Sequence, residues 1–370
     1  MKRLFILLLI FPIISCALLA TQFSTSNDFL RFDLVPETPL FQTIKMDTFS
    51  ASTNFNYITI SDVENIPYQI RVVDKNNIKT TKQYRDIPFA KKESNSYLHM
   101  KLGVTQGLFR LGVGPVSAEL VLQGGLNTVF QLSGGSMALG FDGLYMLGFN
   151  ASLYDIVDFT CGLHHFSGHI GDELLSSATS KSGEAFDTNW EALEYVRDNS
   201  LSLGISVTPV ESLRFYLSAN KPLQTSWIRP LVHIPESTSS PSTSKPLQDH
   251  VDGQESIEGY HSIMNYAENY KAWIIQTGIE TSYHIDNFGN ISLSGGVKMH
   301  QDGQTKHQLG QYDENNPWEL EYNVGLGIEL EKSNSEGNLS INVTYHDGRF
   351  PLLNMFYNRS KYLSVGFSVI

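Results

Sequence analysis

Apolar residues recur at every second position over long stretches of this chain. Trp318, Leu320, Tyr322, Val324, Leu326, Ile328 and Leu330 alternate with Glu319, Glu321, Asn323, Gly325, Gly327 and Glu329. Successive side chains of a β-strand point to opposite faces, so this segment carries one apolar face and one polar or glycine face. The same period runs through Leu201, Leu203, Ile205 and Val207, and through Ile291, Leu293, Gly295, Val297 and Met299. It returns at Leu339, Ile341, Val343 and Tyr345, and at Leu363, Val365, Phe367 and Val369. The pattern predicts strands near 96–112, 117–132, 136–151, 156–168, 199–209, 212–221, 271–285, 289–301, 316–332, 337–347 and 360–370, with a further one around 50–60.

Two all-β architectures fit such strands. In a soluble sandwich or barrel the apolar face is the core; in an antiparallel transmembrane β-barrel it faces lipid and the polar set lines the lumen. Several segments reach the bilayer-crossing length of about 9–11 residues. Aromatic residues sit near segment ends (Trp273, Tyr283, Trp318, Tyr345, Tyr362), where an interfacial girdle belongs. With the last strand ending in the periplasm, the periplasmic turns are 113–116, 152–155, 210–211, 286–288 and 333–336. The outer connections are 133–135, 169–198, 222–270, 302–315 and 348–359. Short turns at one end and long loops at the other are the asymmetry of an outer-membrane barrel. The expectation is therefore a barrel of about twelve strands over 96–370, with a less regular segment at 21–95 that holds a first strand plus a periplasmic or plug region. The run Ser237–Ser244 inside the longest loop is low-complexity and builds no core.

Residues 1–20 read as a signal peptide: Lys2 and Arg3 precede an apolar run from Leu4 to Ile14, followed by small residues. Ile13-Ile14-Ser15-Cys16 also resembles a lipoprotein processing box, which leaves lipidation of Cys16 open beside ordinary cleavage near Ala20. After ordinary cleavage Cys161 is the one cysteine left, so stability comes from the fold rather than from a disulfide. The net charge is -12 over 370 residues, which argues against a nucleic-acid partner. Nothing in the chain calls for a cofactor. The expected partners are outer-membrane lipid, small solutes or lipopolysaccharide, and the expected location is the outer membrane of a Gram-negative bacterium.

The densest polar cluster is His164-His165-Phe166-Ser167-Gly168-His169-Ile170-Gly171-Asp172-Glu173, at the outer end of the strand 156–168. Three readings stay open. In the first, His165 and Ser167 lie two apart on one face, so that the imidazole activates the hydroxyl for acyl hydrolysis, and parity with Phe159 and Leu163 puts both on the lipid side. In the second, His165, His169, Asp172 and Glu173 ligate a metal; on a strand, however, the two histidines stand about 13 Å apart. In the third, the cluster is a hydrogen-bonded barrel rim that includes His164 and His169. Arg349, in Asp347-Gly348-Arg349-Phe350-Pro351, is expected to pair with an acidic rim residue such as Asp172 or Glu173, or to contact a ligand.

The His165-x-Ser167 pair resembles that of outer-membrane phospholipases and lipid A deacylases. The resemblance implies an orienting Asn or Glu about a dozen residues later, where this chain has Thr179; Asp172 or Glu173 serves only if the chain folds back. The chain is also similar to a family of Gram-negative proteins of unknown function, predicted to be outer-membrane barrels. That likeness rests on Gly107-Leu108-Phe109-Arg110, the run from His165 to Glu173, Trp190-Glu191, the run from Tyr345 to Pro351, and Phe356-Tyr357. It implies a barrel and supplies no activity. A structural, pore or surface-interaction role therefore stands first from sequence, with a lipid acyl hydrolase as the alternative.

Overall fold

A computed structural model describes residues 30–63, 68–73, 79–84, 96–132, 137–171, 185–186, 195–223, 227–228, 273–286, 288–301, 318–330, 339–353 and 359–369. The signal segment with Cys16, the run Ser237–Ser244, Thr179, Trp190, Glu191, Phe356 and Tyr357 lie outside them, as do the candidate residues Asp172 and Glu173. The strands are β1 (Leu30–Leu34), β2 (Thr53–Val63), β3 (Tyr68–Val73), β4 (Lys79–Tyr84), β5 (Ser96–Val113), β6 (Val116–Gln131), β7 (Met137–Leu153), β8 (Val157–Ile170) and β9 (Ala185–Phe186). They continue with β10 (Tyr195–Val210), β11 (Leu213–Pro222), β12 (Trp227–Ile228), β13 (Ile274–Ile285), β14 (Gly289–His300), β15 (Glu319–Leu330), β16 (Leu339–Arg349) and β17 (Arg359–Val369).

Twelve of them close into an antiparallel ring. From β5 the order runs through β6, β7, β8, β10, β11, β13, β14, β15, β16 and β17 to β2, which returns to β5. β2 pairs with Ser96–Lys101 of β5 only. The other half of that edge, Phe109–Val113, is covered by β1. The short strand β12 adds to β10, and β3, β4 and β9 form a separate small sheet.

The two-residue period sets what each face meets. On β15, Leu320, Tyr322, Val324 and Leu326 point outward and Val324 is 53% exposed, whereas Glu321 on the other face is 0% exposed. The apolar stripes thus face away from the protein, and no second protein layer covers them among the described residues. A ring leaves no unpaired strand edge, the condition for placing β-structure in lipid. Apolar outside, polar inside, and linked by tight turns such as Gly114–Pro115 and Glu211–Ser212, the chain is an outer-membrane β-barrel.

The lumen is occupied. Residues 35–52 leave β1 and cross the interior before β2 begins. Leu40 N donates to Glu119 (3.1 Å), Lys45 N donates to Glu280 (2.8 Å), and Arg214 donates to the carbonyl of Gln42 (2.8 Å). Asp47 receives Lys298 Nζ at 2.5 Å, while Lys101 Nζ donates to the Asp47 carbonyl and to Ser50. From the opposite end, Phe350–Leu353 turn inward. Asn127 donates to the Pro351 carbonyl, Leu353 N donates to Asp142, and the Phe350 and Leu352 side chains are buried. Phe49 and Ala51 of the crossing segment meet Leu144, Phe166 and Leu353 in one apolar cluster.

Candidate functional site

β8 carries its polar residues on both faces, and the alternation sorts them. Leu163 is 51% exposed on the outer surface; His165, Ser167 and His169 continue that outward row. His164 and Phe166 take the inward row. Phe166 packs in the apolar cluster with its ring 6.4 Å from Phe49, and the His164 ring stands 3.9 Å from Phe166. Phe166 therefore fastens the strand from inside, between two residues that face the other way.

Asn199, on β10, is the Cα partner of His165 across the β8–β10 pair. His165 Nδ1 lies 2.6 Å from Asn199 Oδ1. An amide oxygen only accepts, so Nδ1–H is the donor, which in the neutral imidazole leaves the lone pair on Nε2. On the opposite side, β7 supplies Tyr145, whose ring stacks on the imidazole at 4.6 Å and 25°. The imidazole is thus fixed in tautomer by one neighbour and braced by the other. Ser167 is two residues further along the same face, about 7 Å away between Cα atoms.

Ser167 also has an unusual neighbour. Its Cα partner on β7 is Gly143, and a Cβ there would stand 3.2 Å from the Ser167 hydroxyl. Glycine keeps that flank of the hydroxyl open. Beyond Ser167, His169 stacks on Phe141 at 4.8 Å and 21°.

The other candidates among the described residues are dispersed. His169 shares the outward row but belongs to its own stack, four residues from His165. His164 is inside the barrel. Arg349 lies on the lumen side of β16, where its Nε donates to Glu319 Oε2 at 3.0 Å; Glu319 is the carboxylate the structure brings to it, and Arg359 reaches the same carboxylate at 3.3 Å. Nearby, His346 bridges Asn323 (2.6 Å) and the Arg349 carbonyl (2.8 Å), and His300 contacts Glu321 (3.3 Å). This lumen network pairs its charges internally, as buried charges must be.

Asn199 is the residue that sequence reasoning passed over. It shares the parity of Leu201 and Leu203, so it is a polar group in a lipid-facing row. That is the signal that could have found it.

No family model matches the chain, and no characterised protein matches it in sequence. Among solved structures it is similar to outer membrane phospholipase A from Escherichia coli, with a TM-score of 0.44 and 12% identity over 86% of this chain and 92% of that one. The outer membrane phospholipase dimer of Salmonella typhi gives 0.47 and 14% over 90% and 94%. A FadL homologue from Pseudomonas aeruginosa gives 0.31 and 11% over 86% and 88%. At such identity and overlap the likeness transfers no activity.

Proposed function

We propose that this barrel is an outer-membrane lipid acyl hydrolase, with Ser167 as nucleophile, His165 as general base and Asn199 as the group that orients the base. One observation carries the reading: on the outward rows of β8 and β10, His165 and Ser167 lie two residues apart, and His165 is hydrogen-bonded to Asn199 at 2.6 Å. Polar groups facing lipid are costly and tend to be functional. The arrangement has the nucleophile–base–orienter logic of serine hydrolases, which is defined by geometry rather than by order in the chain.

In this reading His165 Nε2 takes the Ser167 proton as the hydroxyl oxygen attacks the ester carbonyl of a membrane lipid. The alcohol departs with a proton returned by His165, leaving an acyl ester on Ser167. Water, deprotonated by His165, then releases the fatty acid and regenerates the hydroxyl. The site lies at the long-loop end of β8, so the lipid would be drawn from the outer leaflet and water from outside.

The filled lumen weighs against a pore. Residues 35–52 and 350–353 occupy it from both ends.

The test uses purified full-length protein in detergent, assayed on diacyl phospholipid and on lipid A. Fatty-acid release that disappears in Ser167→Ala, with the variant still folded by heat-modifiable migration, supports the assignment. Equal release from wild type and Ser167→Ala, or none from either, rejects it.

A further inference from the structure

The outer face beside Ser167 has a shape that says where the substrate's chain would lie. Gly143 is flanked on β7 by Phe141 and Tyr145, two residues to either side, each stacked on a histidine of β8. These two aromatic stacks stand about 13 Å apart along the strand. Between them the surface drops to backbone, and the hydroxyl of Ser167 stands at the end of the notch. Around the Cβ point of Gly143 nothing but Ser167 comes within 4 Å.

The row continues away from Ser167 across two more strands. Leu126 on β6 is the Cα partner of Gly143, and Leu102 on β5 is the partner of Leu126. Both are outward and more than 40% exposed, at 44% and 47%. The opposite flank of the catalytic row carries the polar Asn199. The notch therefore has an apolar exit toward β5 and a polar side toward β10.

We infer that Gly143 is a specificity-determining residue: its missing side chain forms the floor over which the acyl chain of a long-chain ester lies when its carbonyl meets Ser167. The inference rests on the hydrolase reading. The chain crosses β7 between Tyr145 and Phe141, then runs over Leu126 and Leu102, which places the alcohol half of the ester toward β10. A side chain at 143 occupies the space of the first methylenes. Long acyl chains, which need the whole path, lose more than short ones, which do not reach Leu126.

The experiment compares p-nitrophenyl butyrate with p-nitrophenyl palmitate in mixed micelles, using wild type, Gly143→Ala, Gly143→Leu and Gly124→Leu, with Ser167→Ala as blank. Gly124 also faces outward with nothing near its Cβ point, but it sits in the row of Tyr145 on β6 and outside the proposed path. Each variant's fold is checked by heat-modifiable migration, and Gly143→Ala serves if the leucine variant does not insert. The expected result is a palmitate-to-butyrate ratio of kcat/KM that falls in stages, by about threefold in Gly143→Ala and tenfold or more in Gly143→Leu, while Gly124→Leu keeps the wild-type ratio. An unchanged ratio in both Gly143 variants, or an equal fall in Gly124→Leu, overturns the inference while leaving the hydrolase standing. Wild type as inactive as Ser167→Ala on both esters rejects the hydrolase itself, and the inference with it.

Discussion

His165 and Asn199 are 34 residues apart in the chain and 2.6 Å apart in space. The contact exists because β8 and β10 pair in a register that sets their Cα atoms opposite each other. Everything proposed about chemistry follows from that register.

Removing the amide should slow catalysis without abolishing it. Asn199→Ala leaves Nδ1 without its acceptor, so both tautomers become accessible and the base is wrongly protonated part of the time. A fall of ~10²-fold in kcat is expected, the scale of a general-base contribution. KM changes little, since Asn199 does not hold the substrate. Steady-state hydrolysis of a soluble ester separates the two parameters.

Ser167 and His165 should behave as one unit. Each single alanine variant brings the rate to background, and the double variant is no slower than either. Single-turnover measurements on the three proteins check this; additive losses would mean that the two side chains act separately.

Phe166 should matter for stability. Its ring is buried among Phe49, Ala51, Leu144 and Leu353, and truncation of such a residue costs about 3–5 kcal/mol. Phe166→Ala is expected to lower the urea midpoint of refolding into vesicles, whereas Phe159→Ala on the lipid side, 45% exposed, is expected to cost less.

Acid should loosen the segment that crosses the lumen. Burial pushes the Asp47 carboxyl up, but the Lys298 ammonium bonded to it and the nearby Lys101 outweigh this, and its pKa lies below the usual 3.8. A carboxyl whose folded value is depressed contributes stability above its unfolded value and loses it as pH falls through the folded one. Single-barrel conductance in planar bilayers should be quiet at neutral pH and show openings below about pH 4. Asp47→Asn should show such openings at neutral pH as well.

The barrel was legible because its signal is local. Period-two alternation survives in any strand with one face in lipid, and each of the predicted ring strands overlaps an observed one, for instance 289–301 against Gly289–His300 and 316–332 against Glu319–Leu330. β1 was not foreseen: Leu30–Leu34 is short, exposed throughout, and held only by the half-edge of β5 that β2 leaves open. The candidate site was half legible. Parity placed His165 and Ser167 outward with no knowledge of their neighbours. Their partners were hidden, because Asn199, Gly143 and Tyr145 are set by inter-strand register and by loop lengths that carry no periodicity. A search at a fixed distance along the chain arrives at Thr179 and misses the residue twenty positions further on. Among the described residues Arg349 pairs with Glu319, a partner set by topology; the expected acidic partners Asp172 and Glu173 lie outside those residues.

Phe166 gives the outer face a safeguard. Were β8 to slide by a single residue against its neighbours, an aromatic ring would leave the interior and the serine would enter it. The protein could not turn Ser167 inward without first forfeiting the packing that lets it fold, so any molecule that reaches the membrane correctly assembled carries that hydroxyl on the outside.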